Sequence, residues 1–415
     1  MRCILFALLA ATAPALAGDE DAAALSLADQ TVTTTQPRTD WRVFTEAALA
    51  GSAQRGTGAQ RRAERLSFDV HYDKVFSPGW RAVFADRLDL NRRDGASGRN
   101  SVNTLKEAYL SWQPGADGIA DVGRINVRSG AALGYNPTDY FRAGAVRTIV
   151  SIDPASLREN RLGSAMLRGQ TLWTDGSLTG LYSPRLAAQP NDGAFSPDFG
   201  SSNQRGRWLV SLSQKLSEGV SPQWLAHGGA GRPPQLGLNF SALLNDATVG
   251  NFEWSGGRAP SLAAQALMRP DDTAYRSRLA TGLTYTTSRK LSLTLEYEYN
   301  GAGLDLAGWS ALRRGPPAAY AGYRSFAASA QDLPTRQNVF LYANWQDALI
   351  NRFDITAMVR RDVVDQSRLL WLEGRYHWTR VDLALQWQLN NGQPGSNFGS
   401  LPDRRILQIV ARYFL

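Results

Sequence analysis

From residue 41 to residue 415 the sequence repeats one unit. Each unit has about ten residues in which apolar and polar side chains alternate, and a connection rich in Gly, Pro, Asn, Asp or Ser follows. The alternation is clearest over 291–300, 352–360 and 381–390, where every second residue is apolar or aromatic. A period of two predicts β-strands with one apolar face and one polar face.

This pattern predicts an all-β protein that forms a transmembrane antiparallel up-and-down β-barrel. Bacterial single-chain barrels of this kind have an even number of strands. The pattern gives eighteen strands, and irregular stretches at 361–367 and 214–234 leave sixteen as the alternative. The eighteen predicted strands are 41–51, 63–72, 80–90, 101–112, 119–128, 164–173, 177–182, 207–213, 223–228, 235–243, 248–255, 275–286, 291–300, 337–345, 352–360, 368–378, 381–390 and 403–415.

The connections alternate in length, as expected for short periplasmic turns and long extracellular loops. A second sign is the placement of tryptophan, because indole prefers the interface between membrane and water. Seven of the twelve Trp residues fall at predicted periplasmic strand ends: Trp41, Trp80, Trp112, Trp173, Trp224, Trp345 and Trp378.

The N-terminus has the pattern of a secretory signal peptide. Arg2 precedes an apolar run over 4–16, and Ala15-Leu16-Ala17 fits a small-x-small cleavage site. The predicted organisation is therefore a signal peptide (1–17), a flexible periplasmic lead (18–40) and an outer-membrane barrel (41–415). We accordingly expect an integral protein of the bacterial outer membrane, with membrane lipid around it.

Composition excludes several other classes. The chain lacks the run of ~20 apolar residues that a membrane-spanning helix needs. Aromatic residues make up 10%, which argues against disorder. A single Cys supports neither a disulfide framework nor a Cys-based metal site.

One block of sequence is distinctive: Val122–Arg128, followed by Gly134–Phe141. A Gly-Arg strand followed by Asn-Pro-Thr-Asp resembles outer-membrane porins and export barrels, most of all the alginate-export-like porin group. That resemblance implies an 18-stranded channel, sometimes lined by arginine, for anionic sugars or polymers.

The long loop 129–163 is expected either to fold into the lumen and form a constriction or to pack over the mouth and close it. After removal of residues 1–17 the chain has 40 Arg and 4 Lys. Arg binds carboxylate and phosphate groups in a bidentate manner, although a general bias toward Arg explains the count equally well. The candidate channel residues are Arg124, Arg128, Arg142, Arg147, Arg158, Arg161, Arg168, Arg276 and Arg278.

The lumen side of the C-terminal strands carries five basic and five acidic residues, so we expect pairs of opposite charge there. Asp86 disturbs the apolar face of strand 80–90, and this predicts a bulge or a shifted register. The chain ends in Arg412-Tyr413-Phe414-Leu415, which resembles the terminal strand that the barrel-assembly machinery recognises, although that pattern normally ends in Phe.

Neither an enzyme nor a cofactor site is indicated. His71, His227 and His377 lie far apart, and no nucleophile-elbow, phosphate-loop or zinc motif occurs. The Arg residues are spread over many loops, so nucleic acid is not an expected partner. We expect a channel that passes an anionic or sugar-like solute or an exopolysaccharide, by diffusion or by export assisted by a periplasmic partner. The alternative is a plugged barrel that serves as a scaffold for assembly, adhesion or an enzyme.

Overall fold

The structure is a computed structural model that describes residues 40–94, 100–191 and 193–415. These residues form eighteen strands, so the prediction of eighteen is confirmed and sixteen is excluded. The strands are β1 Trp41–Gln54, β2 Gln60–Ser77, β3 Trp80–Arg93, β4 Ser101–Trp112, β5 Gly118–Ile125, β6 Ser164–Trp173, β7 Gly176–Ser183, β8 Arg207–Gln214, β9 Gln223–Gly229, β10 Arg232–Asn245, β11 Thr248–Ala259, β12 Ala274–Thr286, β13 Leu291–Asn300, β14 Gln337–Trp345, β15 Phe353–Asp362, β16 Arg368–His377, β17 Val381–Asn391 and β18 Asp403–Phe414.

Each strand pairs antiparallel with its neighbours in the chain, and the first strand pairs with the last. Ala47 on β1 faces Ala411 on β18, and on its other side it faces Leu66 on β2. The sheet therefore closes on itself, which leaves no unpaired edge for its full circumference.

The two faces of the wall have the reverse polarity of a water-soluble barrel. On β13, Leu293, Leu295 and Tyr297 are exposed, whereas Glu296 and Glu298 are almost fully buried. The apolar side chains therefore point outward, as hydrocarbon requires, and the charged ones point into the lumen.

Short turns lie at the end of the barrel that holds the start of β1 and the end of β18. Examples are 78–79, 174–175 and 246–247, whereas the opposite end carries connections as long as 126–163 and 301–336. All seven predicted tryptophans lie at the short-turn end, which confirms the aromatic belt there. By the rule for bacterial barrels, the short-turn end is periplasmic.

The strands that form the barrel wall are shortest between β5 and β9. Four of these five strands have seven or eight residues, whereas β1, β2 and β3 have fourteen or more. On the extracellular side, the connections carry five helices among the described residues. They are α1 Pro154–Glu159, α2 Phe199–Ser202, α3 Leu262–Ala266, α4 Leu306–Arg314 and α5 Pro317–Ser329.

A small apolar core joins three of these helices. Trp309 of α4 and Tyr323 of α5 are fully buried and pack with Leu262 of α3. Side chains cap the first turns of α3 and α4: Ser261 accepts a hydrogen bond from the backbone of Ala264, and Asp305 accepts one from Gly308. Helix α5 instead begins with Pro317, whose fixed φ suits the first helical position. The two connections that follow β11 and β13 therefore form a helical cluster with its own hydrophobic core.

A bulge does occur where Asp86 was predicted to disturb the pattern, and it lies between Ala85 and Asp86 in the pairing of β3 with β4. The extra residue is Lys106 on β4, which points inward and binds Asp69 at 2.7 Å. Asp86 itself remains on the outer face, where Asn103 donates a hydrogen bond to it at 2.9 Å. The bulge therefore directs the side chain of Lys106 into the lumen, and it leaves Asp86 on the outer face of β3.

The predicted signal peptide and almost all of the predicted lead fall outside the described residues. Among the residues that the structure does describe, no helix has both the length and the apolar character to cross a bilayer.

Candidate functional site: the loop that crosses the barrel

Loop 126–163, which connects β5 to β6, lies against inward-facing residues of distant strands. Glu253 on β11 accepts a hydrogen bond from the backbone N–H of Ala132 at 2.6 Å. Glu296 on β13 accepts two, from Leu133 and Gly134, each at 2.8 Å. The loop therefore reaches across the lumen from β5 to the wall formed by β11 and β13.

Glycine is required at two positions of this contact. A Cβ atom on Gly134 would overlap the Glu298 carboxylate and the Phe340 ring, and one on Gly130 would overlap Glu253. Gly130 also has a φ of +87°, in the region that favours glycine. The glycines let the loop backbone approach the carboxylates closely enough for hydrogen bonding.

The loop is also held together from within. Arg161 is almost fully buried and donates to Asp139 at 2.8 Å, to Asn126 at 2.7 Å and to the carbonyl of Val127 at 2.6 Å. Both ends of the loop therefore meet at one guanidinium, which uses its fixed donors in three directions.

Helix α1 anchors the second half of the loop. Asp153 caps this helix by accepting from the backbone of Ser156 at 3.0 Å, and it also accepts from Tyr342 on β14 at 3.0 Å. Burial raises the pKa of the Asp153 carboxyl group above its ordinary value. Arg65 on β2 donates to the carbonyl of Val150 at 3.0 Å, so the loop is bound on several sides of the lumen.

A second loop joins the first through Asp332. Arg142 binds Asp332 at 3.0 Å, and Tyr135 donates to the same carboxylate at 2.5 Å. Burial by itself raises the pKa of Asp332, but the charges of Arg278 and Arg142 and these hydrogen bonds outweigh it and hold the pKa below its usual value. Loops 126–163 and 301–336 are thus linked by a buried ionised carboxylate.

The structure brings the other predicted arginines of the loop into similar structural contacts. Arg147 donates to the carbonyls of Asn103, Ser196 and Gly193 at 2.5–3.0 Å. Arg158 donates to the carbonyl of Gly130 at 3.0 Å.

The predicted arginines on the wall are also held by neighbours. Arg124 is 3% exposed and donates to Pro197, and Arg168 binds Asp121 at 2.6 Å. At the extracellular end of β12, Arg276 binds Asp272 at 3.1 Å and Arg278 lies 3.6 Å from Asp332.

Arg128 differs from the rest of this set. It is exposed, and it lies close enough to Glu159 to lower the pKa of that carboxyl group, together with Lys106 and Arg42 and against the effect of burial. Its guanidinium is therefore the most accessible to a solute among the nine predicted arginines.

Inward charges form compensated clusters on the C-terminal strands, where the sequence predicted them, and also along the early strands, where it did not. Arg87 is 1% exposed and contacts Glu46 at 2.8 Å, Asp89 at 2.9 Å and Asp69 at 3.6 Å. A second cluster on the C-terminal strands pairs Arg375 with Glu373 at 2.9 Å. Such pairs stiffen the wall and leave little net charge beside them.

A third group of inward cations was missed from the sequence. Arg205, Arg207 and Arg232 lie at the extracellular end of β8–β10, and none has an acidic partner among the described residues. One signal was present: between Phe199 and Asn245 the chain has three Arg and one Lys but only one acidic residue, Glu218.

The closed wall, the apolar exterior and the inward loop define a membrane-spanning β-barrel, and its fold matches that of Gram-negative outer-membrane porins. The chain is similar to the solved structure of Acinetobacter baumannii OccAB1, with a TM-score of 0.57, 9% identity, and coverage of 90% of this chain and 96% of that chain. It is also similar to Pseudomonas aeruginosa OpdQ, with a TM-score of 0.55, 9% identity, and coverage of 91% and 99%.

The outer membrane protein OpdK of Pseudomonas aeruginosa gives a TM-score of 0.53 at 7% identity, with coverage of 91% of this chain and 99% of that chain. These similarities show the fold. No protein-family model matches the chain, and none of the curated proteins matches it.

Proposed function

We propose that the protein is an outer-membrane diffusion channel for anionic or sugar-like solutes and has no enzymatic activity. The observation that carries the proposal is the loop 126–163, which crosses a closed polar lumen and is fixed to the opposite wall by Glu253 and Glu296. A loop held rigidly in this position narrows the passage at a defined place, and its surface then selects among solutes.

The anionic class is supported by the cations that the lumen and loop hold in excess. Arg128 is exposed, and Arg205, Arg207 and Arg232 have no acidic partner among the described residues. The narrower assignment to the alginate-export-like group, with an exopolysaccharide as the solute, is supported by the Val122–Phe141 sequence block. Export would add a periplasmic partner, and a deletion strain that still secretes polysaccharide would exclude that role.

Conductance of the purified protein in planar bilayers tests the proposal. We expect ohmic openings with a reversal potential that indicates a preference for anions. Replacement of Arg142, Arg147, Arg158 and Arg161 by Ala is expected to lower that preference, because it removes four cations and releases the loop that they hold. Unchanged reversal potentials would show that this loop does not line the passage.

The second candidate is a plugged barrel that acts as a surface scaffold. It is favoured because the loop contacts strands on several sides of the lumen, including Arg65 on β2 and Tyr342 on β14. Bilayers that remain silent at high protein load, with correctly folded protein, would reject the channel and support the scaffold.

A further inference from the structure

Arg205, Arg207 and Arg232 lie together at the extracellular end of the shortest part of the wall; Arg205 is two residues before the start of β8, and its charge is close enough to act on both of the others. Arg207 begins β8, and its neighbour Trp208 is exposed on the lipid side, so Arg207 points into the lumen. Arg207 pairs with Gly229 on β9, and Gly229 pairs on its other side with Arg232 on β10. Residues that face each other across antiparallel strands share a face, so the two arginines flank a glycine.

Gly229 lies between the two arginines, and a Cβ atom there would come within 2.9 Å of the Gly206 carbonyl oxygen and 3.4 Å of the Arg207 side chain. Neighbouring strands are about 4.8 Å apart, so the backbones of Arg207 and Arg232 are separated by about 10 Å. Two arginines on backbones this close place two positive charges on one short stretch of the wall, which favours an anion with two or more charged groups over a single small carboxylate.

Within the part of the chain that the structure describes, no carboxylate compensates the charge of this cluster. Arg232 donates to the neutral amide of Gln265 at 3.0 Å, and Arg207 donates to Ser164 at 3.2 Å and to the carbonyl of Ser202. Burial lowers the pKa of Arg205, and no carboxylate contributes to it. In contrast, the inward Arg87, Arg168 and Arg375 all have an acidic partner within 3 Å.

The cluster also contains buried nitrogen atoms that are not hydrogen-bonded, and aromatic side chains of the loop pack against it. The Nε atom of Arg207 is buried and has no hydrogen-bond partner among residues 40–94, 100–191 and 193–415, and the same is true of Nε2 of His227 on β9. The Arg207 guanidinium lies 4.4 Å from the centre of the Phe141 ring, and Tyr140 stacks on His227 with ring centres 4.4 Å apart. Loop 126–163 therefore orients the inner side of the cluster.

From these observations we propose that Arg205, Arg207 and Arg232 form an oxyanion-binding site at the extracellular mouth of the barrel, for a solute with two or more carboxylate or phosphate groups. Arg presents paired N–H donors to such groups, and a cluster of one sign of charge raises the local concentration of counter-ions at the entrance. This proposal rests on the proposed channel function, and it assigns the residues that the solute meets first.

Binding to the detergent-solubilised full chain tests the site without any need for conduction. Isothermal titration with inorganic pyrophosphate is compared between the wild type and the triple variant Arg205→Gln, Arg207→Gln and Arg232→Gln. We expect pyrophosphate affinity to fall at least tenfold in the variant, whereas acetate binds weakly to both proteins. Equal affinity of the variant and the wild type for pyrophosphate would overturn the proposal.

A matched control removes the same charge at the opposite end. Arg289, Arg352 and Arg380 are exposed on periplasmic turns, and their replacement by Gln is expected to leave pyrophosphate binding unchanged. A loss as large as that of the first triple variant would show that net charge alone governs binding, and the site would be rejected. Heat-modifiable migration in gels verifies that both variants fold.

The diphosphorylated headgroup of lipid A has the same chemistry and is distinguished by competition. Because Arg207 faces the lumen, we expect pyrophosphate affinity to be the same with and without added lipid A. Displacement of pyrophosphate by lipid A would overturn the assignment to a solute. If the wild type binds pyrophosphate but never conducts, the channel function is rejected and the binding site is retained. If it conducts but does not bind pyrophosphate, the binding site is rejected and the channel function is retained.

Discussion

The carboxylate of Glu253 on β11 accepts a hydrogen bond from the backbone N–H of Ala132 in the loop that leaves β5. Together with Glu296, it satisfies three successive N–H groups, of Ala132, Leu133 and Gly134, that would otherwise be buried and unpaired. The far wall of the barrel thus determines where the loop stops, and the position of the loop determines which part of the lumen stays open.

Replacement of Glu296 by Ala is expected to release the middle of the loop. Two buried N–H groups lose their acceptor, and an unsatisfied buried group costs about 1–3 kcal/mol. We expect faster amide hydrogen exchange at 132–136 while the strands stay protected. Glu64→Ala is the control, because Glu64 is 54% exposed and only 4.0 Å from its partner Arg92. Unchanged exchange in the Glu296 variant would contradict the anchoring role.

Gly134→Ala tests the same contact from the side of the loop. The new Cβ would overlap the carboxylate of Glu298 and the ring of Phe340, so the loop must move away from β13. We expect larger current fluctuations in bilayers and increased cleavage of the loop by added protease. Gly169→Ala provides the comparison, since a Cβ there meets nothing within 4 Å. Equal behaviour of the two variants would mean that the close approach at Gly134 is dispensable.

The link through Asp332 predicts a dependence on pH. Because the pKa of Asp332 is lowered in the folded protein, its contribution to stability is complete above the ordinary carboxyl pKa of about 3.9. The contribution is lost as the pH falls through the lowered value. The protection of the amides in 301–336, which is their exchange rate corrected for the intrinsic effect of pH on exchange, is therefore expected to fall below about pH 4 in the wild type.

Asp332→Asn provides the comparison, since it is expected to lower this protection already at pH 7 and to flatten its dependence on pH. Asp246→Asn, in a periplasmic turn, is expected to follow the wild type. Wild-type protection that does not change between pH 7 and pH 3 would exclude the role of the ionised carboxylate.

The helical cluster on the extracellular side is predicted to unfold independently of the barrel. Trp309→Ala removes a fully buried indole from the core around Leu262 and Tyr323, and such a truncation costs about 3–5 kcal/mol. We expect loss of the helical signal in circular dichroism at a lower temperature, with the β signal retained. Leu306→Ala in the same helix is the control, since Leu306 is 63% exposed. Simultaneous loss of both signals would show one cooperative unit.

The barrel was predictable because the two solvents, lipid outside and water inside, impose a period of two. The predicted bounds agree with the structure for β4, β6, β13 and β14, where each strand runs between clear turn residues. Agreement is poorest at β2 and β10: β2 extends to 60–77 past its predicted range of 63–72, and β10 extends to 232–245 past its predicted range of 235–243. There the alternation continues into residues whose pairing depends on the neighbouring strand.

The partners of the arginines could not be predicted, because they depend on register and on how the loop folds. Arg161 and Asp139 lie 22 residues apart in the chain but meet at 2.8 Å. The general expectation of charge pairs on the wall is confirmed by Arg375 and Glu373. The helices of 301–336 had a sequence signal in the cap residue Asp305 and in Pro317, but the strand pattern dominated the interpretation.

The outer face of β3 gives the last prediction. Asp86 lies among apolar residues that face lipid, and Asn103 donates a hydrogen bond to it at 2.9 Å. A charged residue at the bilayer midplane costs about 2–4 kcal/mol for Arg or Lys and less for Asp. Asp86→Leu is therefore expected to increase the free energy of unfolding in phospholipid vesicles by about 1 kcal/mol, as measured by urea titration.

Asn103→Leu is expected to act in the opposite direction, because it leaves the Asp86 carboxylate in lipid without this hydrogen bond. The double variant is expected to be more stable than Asn103→Leu alone, and the unfolding free energies of the wild type, both single variants and the double variant together give the coupling energy between the two side chains. A decrease in the free energy of unfolding in Asp86→Leu would contradict this prediction, and it would show that the hydrogen-bonded pair of Asp86 and Asn103 stabilises the barrel.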